Sequence, residues 1–557
     1  MQSVPTGDLP GYGGPVVACL LKRKCVPVRK RNRLAAVAAG LTVVWLVAGC
    51  ASGGAAGGDS SESLSDGGDF VTGLYLEPRG LDPHRQVFWE TYRVSRNIFE
   101  PLVGEDLTRA EGTPDLVPVL ATSWEHSGDG RTWTFRLRDG VTFHDGTSFD
   151  AEALHKNVRR VWDRSYEFFD EESAGRVKVW FGGLLKAAPT GEHTYTFEFE
   201  RPFLGFPRIL AQSMYTLPVG NPAIWERYGN DGFAEHPEGT GPYRFVSRAI
   251  GDRIVLERND GYWGERPHLD SLTFRIIPNN QTRVASLLGG EVDLISYVQP
   301  DDVETLENAG LHVPEGTGAE LIYFSFNRRN PVFDDDRVRQ ALVHGLDRQA
   351  LADEVYNGYA APQYSFLPPG NEAYRADVKD FEYDPDRARQ LLAEAGYGPG
   401  QLRFNLVIDV ANENVGQWLQ AHLKEIGVEA DVVSLDRVNY SARVYNPQPG
   451  DGLNIDEFGE TDAEWLYNGF NGLVNRGLKP EQYPEVTQAI ETALYTAEPD
   501  RRIALWQKAE EELRRRALVI PAVNLNRYYA TGPNVEGFTF ASTNWYDLSN
   551  VWLTDIR

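Results

Sequence analysis

The chain has 557 residues, 41% hydrophobic and 24% charged, which excludes an intrinsically disordered protein and leaves room for about three or four domain-sized units. A net charge of −25 argues against nucleic-acid binding, which runs on clustered Lys and Arg. A mean hydropathy of −0.40 excludes a polytopic membrane protein, and with Cys19, Cys25 and Cys50 the only cysteines, disulfides, thiol catalysis and cysteine-held metal are excluded from everything after Cys50.

In chain order, the first feature is an address. Arg29, Lys30, Arg31 and Arg33 precede an apolar run over 34–48, too short to span a bilayer, and Val47-Ala48-Gly49-Cys50 follows. A basic stretch, a short apolar stretch and small residues before a lone cysteine resemble a bacterial lipobox. That resemblance implies cleavage before Cys50 and lipidation of its thiol. Residues 1–27 do not suit a signal, so translation is expected to start near Val26 or Val28. Residues 51–68, rich in Gly, Ser and Ala, are expected to be a tether.

Folded sequence is expected from about Phe70. Alternation predicts strands over 132–138, 194–199, 254–257, 272–277 and 321–326. Helical spacing predicts helices over 150–162, with Asp150 as N-cap, over 280–288, and over 335–356. Asp384-Pro385 opens another helix that Gly396 ends. A strand over 402–410, a helix over 415–426, long helical pattern over 481–516 and a strand over 518–523 complete the reading. Strands and helices mix throughout, so the class is α/β or α+β.

Chemical motifs are few. Phe143-His144-Asp145-Gly146 places a histidine beside an acid with no nucleophile near it, and it reads as a structural turn. Gly239-Thr240-Gly241 lacks the third glycine of a nucleotide loop, so it reads as a tight turn. The ten histidines are scattered, and no metal site or cofactor is expected. Paired acids are abundant, so a two-carboxylate glycosidase stays open as a reading of composition alone.

Several blocks carry a resemblance. They are Leu81-Asp82-Pro83-His84, Ile98-Phe99-Glu100-Pro101-Leu102-Val103, the run from Thr134 to Thr147, Gly239-Thr240-Gly241-Pro242-Tyr243, and Arg258-Asn259-Asp260-Gly261-Tyr262-Trp263-Gly264. Gly290-Glu291-Val292-Asp293-Leu294-Ile295, Val338-Arg339-Gln340-Ala341-Leu342 and the run from Asp384 to Tyr397 follow. In this order they resemble the extracytoplasmic solute-binding proteins of ABC importers, family 5, which handle peptides, nickel chelates and opines. The resemblance implies a two-lobed periplasmic-binding-protein-like α/β fold with an extra mixed α+β sub-domain. Lobe 1 is expected over 70–320, with the sub-domain at 106–235, lobe 2 over 321–516, and a return to lobe 1 over 517–557. It implies no catalysis. The partners it implies are a peptide or other small solute, ABC permease and ATPase subunits, and the membrane through a lipid anchor at the extracytoplasmic face. A monomer is expected.

For the ligand, the resemblance points to the acidic-then-aromatic stretch 456–465. Asp462 and Glu460 lead, with Asp456 and Glu457 as further candidates for pairing with a peptide's ammonium. Ala463 stands where the family has Pro, which weakens the peptide assignment. Phe88, Trp89, Tyr92, Tyr323, Trp465, Trp545 and Tyr546 are expected as cleft walls, because aromatic rings give contact area at low entropic cost. A binder of a nickel chelate, an opine or an oligosaccharide is the alternative within the family, and the absence of Arg from 210–219 lowers the nickel reading. A sensor lipoprotein and a surface hydrolase are the readings from other classes.

Overall fold

The computed structural model describes residues 66–85, 89–108, 112–211, 217–459, 461–496 and 498–554. The lipobox cysteine Cys50, Phe88 and Glu460 lie outside the described residues. The architecture is mixed α/β around three main sheets.

The first sheet runs in the order Ala530–Thr531, Leu294–Ile295, Asp69–Leu74, Ser271–Ile276, Arg253–Arg258 and Tyr243–Ala249. Asp69–Leu74 lies parallel to both of its neighbours, and the remaining pairs are antiparallel. Phe70, Leu256, Leu272 and Phe274 put apolar side chains into one core with Trp225 and Tyr529.

A second, antiparallel sheet of four strands occupies 121–199, inside the stretch expected as sub-domain. Helices Ala151–Trp162 and Glu171–Phe181 accompany it. Each begins at an aspartate whose carboxylate accepts a backbone N–H: Asp150 from Ala153 at 2.8 Å, Asp170 from Ser173 at 2.8 Å.

The third sheet runs Ala360–Pro362, Val519–Tyr528, Glu315–Phe326, Asp451–Phe458, Leu402–Asp409 and Val428–Leu435. Leu321 through Phe326 are all buried, because this strand is central and covered on both faces. The expected return begins inside this sheet. Val519–Tyr528 belongs to this third sheet, and the chain joins the first sheet only at Ala530–Thr531. The outgoing and returning segments cross side by side, Glu315 opposite Tyr528 and Gly316 opposite Arg527, with a register shift between Gly316 and Glu320. The shift bends the crossing strand where one lobe gives way to the other.

The expected helix over 335–356 is two helices, Asp336–His344 and Arg348–Glu354. Gly345 caps the first, and the Asp347 carboxylate accepts from the Ala350 N–H at 3.0 Å and starts the second. The long pattern over 481–516 likewise resolves into Pro484–Leu494 and Pro499–Arg515, each opened by a proline at its first turn.

Candidate functional site

Two groups of side chains meet where the lobes face each other. The first is aromatic. Trp89 opens the helix Trp89–Ser95 of the first lobe and stacks on Trp545, ring centroids 4.6 Å apart. Tyr92, one turn on, meets Trp545 edge-on at 6.2 Å. Across from them lies Gly459, at the end of the third sheet's strand Asp451–Phe458. A Cβ there would stand 3.2 Å from the Trp89 ring and 4.0 Å from the Asn544 carboxamide nitrogen. Glycine here lets the strand end approach the Trp89 ring closely.

Nearby, the Thr113 hydroxyl lies 3.0 Å from the carbonyls of both Gly370 and Thr461, which share its one proton. One hydroxyl thus ties the first lobe to two segments of the second.

The second group is polar and sits near the crossing strands. Tyr75 and Tyr297 rings lie 4.7 Å apart, and the Arg527 guanidinium covers Tyr297 at 4.2 Å. Tyr297 holds φ 61°, a left-handed backbone that a bulky residue adopts only under constraint. Glu457 reaches this group from the second lobe and accepts from the Asn412 amide at 3.3 Å. Burial first, and then nearby carboxylates, raise both phenols, that of Tyr75 well above the ordinary tyrosine range. Glu90 and Glu457 act on Tyr75, and Glu457 acts on Tyr297. Both therefore stay protonated donors. Burial works against the Arg437 charge, but Glu457 and Asp409 outweigh it and raise that guanidinium. On the first-lobe side, Glu90 accepts from Ser296 at 2.8 Å and pairs with Arg93 at 3.0 Å.

The other expected residues are placed as follows. Asp456 is held by Arg476 and accepts from Ser325 and Asn454 at 2.6 Å each, so its charge is used inside the second lobe. Tyr323 packs edge-on to Phe366 at 5.0 Å and shares a core with Trp465. Asp462 is 2% exposed and lines a cavity of about 220 Å³ with Arg208, Glu372, Glu464 and Arg502. Gly205 meets Glu464 there, so this cavity also lies between sub-domain and second lobe. A more open crevice of about 640 Å³ runs along the same seam, with Lys178, Trp180 and Arg201 facing Tyr467 and Tyr495.

His144 is a structural group. Its Nε2 contacts the Gly241 carbonyl at 3.0 Å, and burial pulls its pKa down to about 4. A Cβ on Gly239 would stand 2.3 Å from the Ile98 carbonyl oxygen, so this segment is a backbone-to-backbone contact and no phosphate loop. Among the described residues, no cluster of three or more His, Cys, Asp or Glu could hold a metal, and no helix is long and apolar enough to cross a membrane.

Sequence reasoning passed over Tyr75, Tyr297, Arg437, Thr113 and Asn544. None belongs to a motif, and they converge only through tertiary structure.

Residues 115–451 match the bacterial extracellular solute-binding proteins, family 5. The chain belongs to this family. The glutathione-binding protein GsiB of Shigella dysenteriae is 29% identical, covering 82% of this chain and 89% of its own. The dipeptide-binding protein of Escherichia coli K12 is 26% identical, covering 85% and 92%. DppA of Helicobacter pylori, solved in complex with the peptide STSA, matches with a TM-score of 0.78 at 24% identity, over 88% of this chain and 99% of that one, which shows the shared two-lobed fold. Family 5 proteins are the solute-binding components of ABC importers, not enzymes. The two groups at the junction of the lobes are thus the candidate ligand site of a solute-binding protein.

Proposed function

We propose that this solute-binding protein captures short peptides between its lobes and delivers them to an ABC permease, tethered to the extracytoplasmic face through a lipid on Cys50. The observation that carries the peptide reading is the chemistry where the lobes meet. Trp89 and Trp545 supply stacking area, Glu457 supplies a carboxylate for an ammonium group, and the Tyr75 and Tyr297 phenols supply donors for carbonyls, while Arg527 and Arg437 are paired with Glu320 and Asp409. Relatives named for glutathione and dipeptide binding point the same way. In this reading Glu457 is the partner of the ligand's ammonium among the described acids, because Asp456 is already neutralised by Arg476.

Isothermal titration of the protein with the dipeptide Ala-Ala, the tetrapeptide Ser-Thr-Ser-Ala and glutathione tests this, with a nickel–histidine chelate and an opine as controls. Saturable binding of a peptide probe supports the reading, and binding of a control alone overturns it. Mass analysis of the mature N-terminus tests the anchor: a diacylglyceryl-modified Cys50 is expected, and an unmodified cysteine would refute it.

A further inference from the structure

We infer that the Asn544 carboxamide is a ligand-binding group that reads one residue of an extended peptide backbone, accepting from its N–H and donating to its C=O. This rests on the peptide reading above.

Three observations carry it. Asn544 is only 1% exposed, yet among the described residues neither Nδ2 nor Oδ1 has a hydrogen-bond partner. A buried primary amide left unpaired is costly, and native structures keep few of them without a use. The side chain lies where the strand end at Gly459 faces the Trp89 ring, its nitrogen 4.0 Å from where a Gly459 Cβ would stand. The backbone around it is built as a mount. The Asn544 N–H donates to the Ala541 carbonyl at 2.9 Å, and the Ala541 N–H donates to the Trp545 carbonyl at 2.8 Å. The Asn544 carbonyl accepts from the Tyr529 hydroxyl at 2.6 Å. The main chain at Asn544 is thus held, while its carboxamide, like the neighbouring Thr543 and Tyr546 hydroxyls, has no partner among the described residues.

The left-handed backbone here favours glycine first and asparagine next. Asn544 sits at φ 63°, where glycine is the least strained choice. An asparagine here adds a donor and an acceptor to a site that glycine would serve for conformation. In an extended segment the N–H and C=O of one residue point to the same side, which matches the two ends of a carboxamide. Recognition of main chain rather than side chain is the expected mode for a receptor with loose sequence preference.

The test is a cycle of two changes on the full chain: Asn544→Gly in the protein and N-methylation of each residue in turn in Ser-Thr-Ser-Ala, read by titration calorimetry. Asn544→Gly keeps the left-handed turn, so its thermal midpoint is expected to equal or exceed that of the parent. Affinity for the unmodified peptide should fall roughly tenfold, the scale of a lost buried hydrogen-bond pair. One methylated peptide should lose a similar factor against the parent protein and nothing further against the variant. Asn544→Asp keeps the acceptors and loses the donor, and it replaces the glycine variant if that one does not fold. A parent that binds peptides and a variant that binds them equally well, or methylation losses unchanged by the variant, overturn the Asn544 assignment alone. A parent that binds none of the peptide probes overturns the peptide reading and this assignment with it.

Discussion

Asp82, His84 and Arg160 show what the Leu81-Asp82-Pro83-His84 block is for. Arg160 is fully buried and grips Asp82 with two hydrogen bonds, 3.1 and 2.6 Å, while donating to His84 Nδ1 at 2.8 Å. Because Arg160 can only donate, His84 must accept at Nδ1 and donate from Nε2 to the Pro218 carbonyl, 2.7 Å away. Replacing Arg160 by Leu strands a buried carboxylate, and denaturant unfolding should show a loss of about 3–5 kcal/mol. Burial, then the Arg160 charge, lowers the His84 pKa to about 4 from 6.5. A lowered histidine contributes stability that is full above 6.5 and is lost as pH falls toward 4, because the unfolded chain takes the proton first. The stability gap between the parent and His84→Gln should therefore shrink by about 2 kcal/mol between pH 7.5 and 5. A gap independent of pH would contradict the neutral, buried assignment.

At the scale of elements, local signals carry the helices and fail where two short elements adjoin. Asp384 caps Pro385–Glu394 as its sequence implies, accepting from the Arg387 N–H at 2.8 Å. Asp384→Ala should cost about 1 kcal/mol in thermal or denaturant unfolding, and no change would remove the cap from the account. The break at Gly345 to Asp347 was equally written in residues, as a glycine stop followed by an aspartate start, but apolar spacing runs straight through it. The strand Val519–Tyr528 shows a different limit. Its apolar run predicts a strand, and nothing local says which sheet it joins. The site is less legible again. Trp89 and the acidic stretch stand out as residue types, whereas Tyr297 and Asn544 matter through left-handed backbones set by tertiary packing. Glu457 meets Tyr75 and Tyr297 only because two lobes bring distant segments together.

At the scale of the whole molecule, function depends on how the lobes engage. Two strands cross side by side near Gly316 and Arg527, which suits a hinge that bends without sliding. Away from the hinge, contacts between distant segments include Thr113 with Gly370 and Thr461, and Trp180 against Tyr467 with centroids 5.9 Å apart. Thr113→Val removes the shared hydrogen bond while keeping the side chain's shape. Peptide dissociation followed by stopped-flow tryptophan fluorescence should quicken roughly three- to tenfold, with little change in association. An unchanged rate would mean that these contacts do not hold the lobes shut. The central claim, that this receptor carries peptides, is tested most directly by native mass spectrometry of the protein purified from its own host. The account predicts a ladder of bound masses matching peptides of about two to five residues, released intact on denaturation. A single sharp adduct with the mass of a metal chelate, opine or sugar would contradict it.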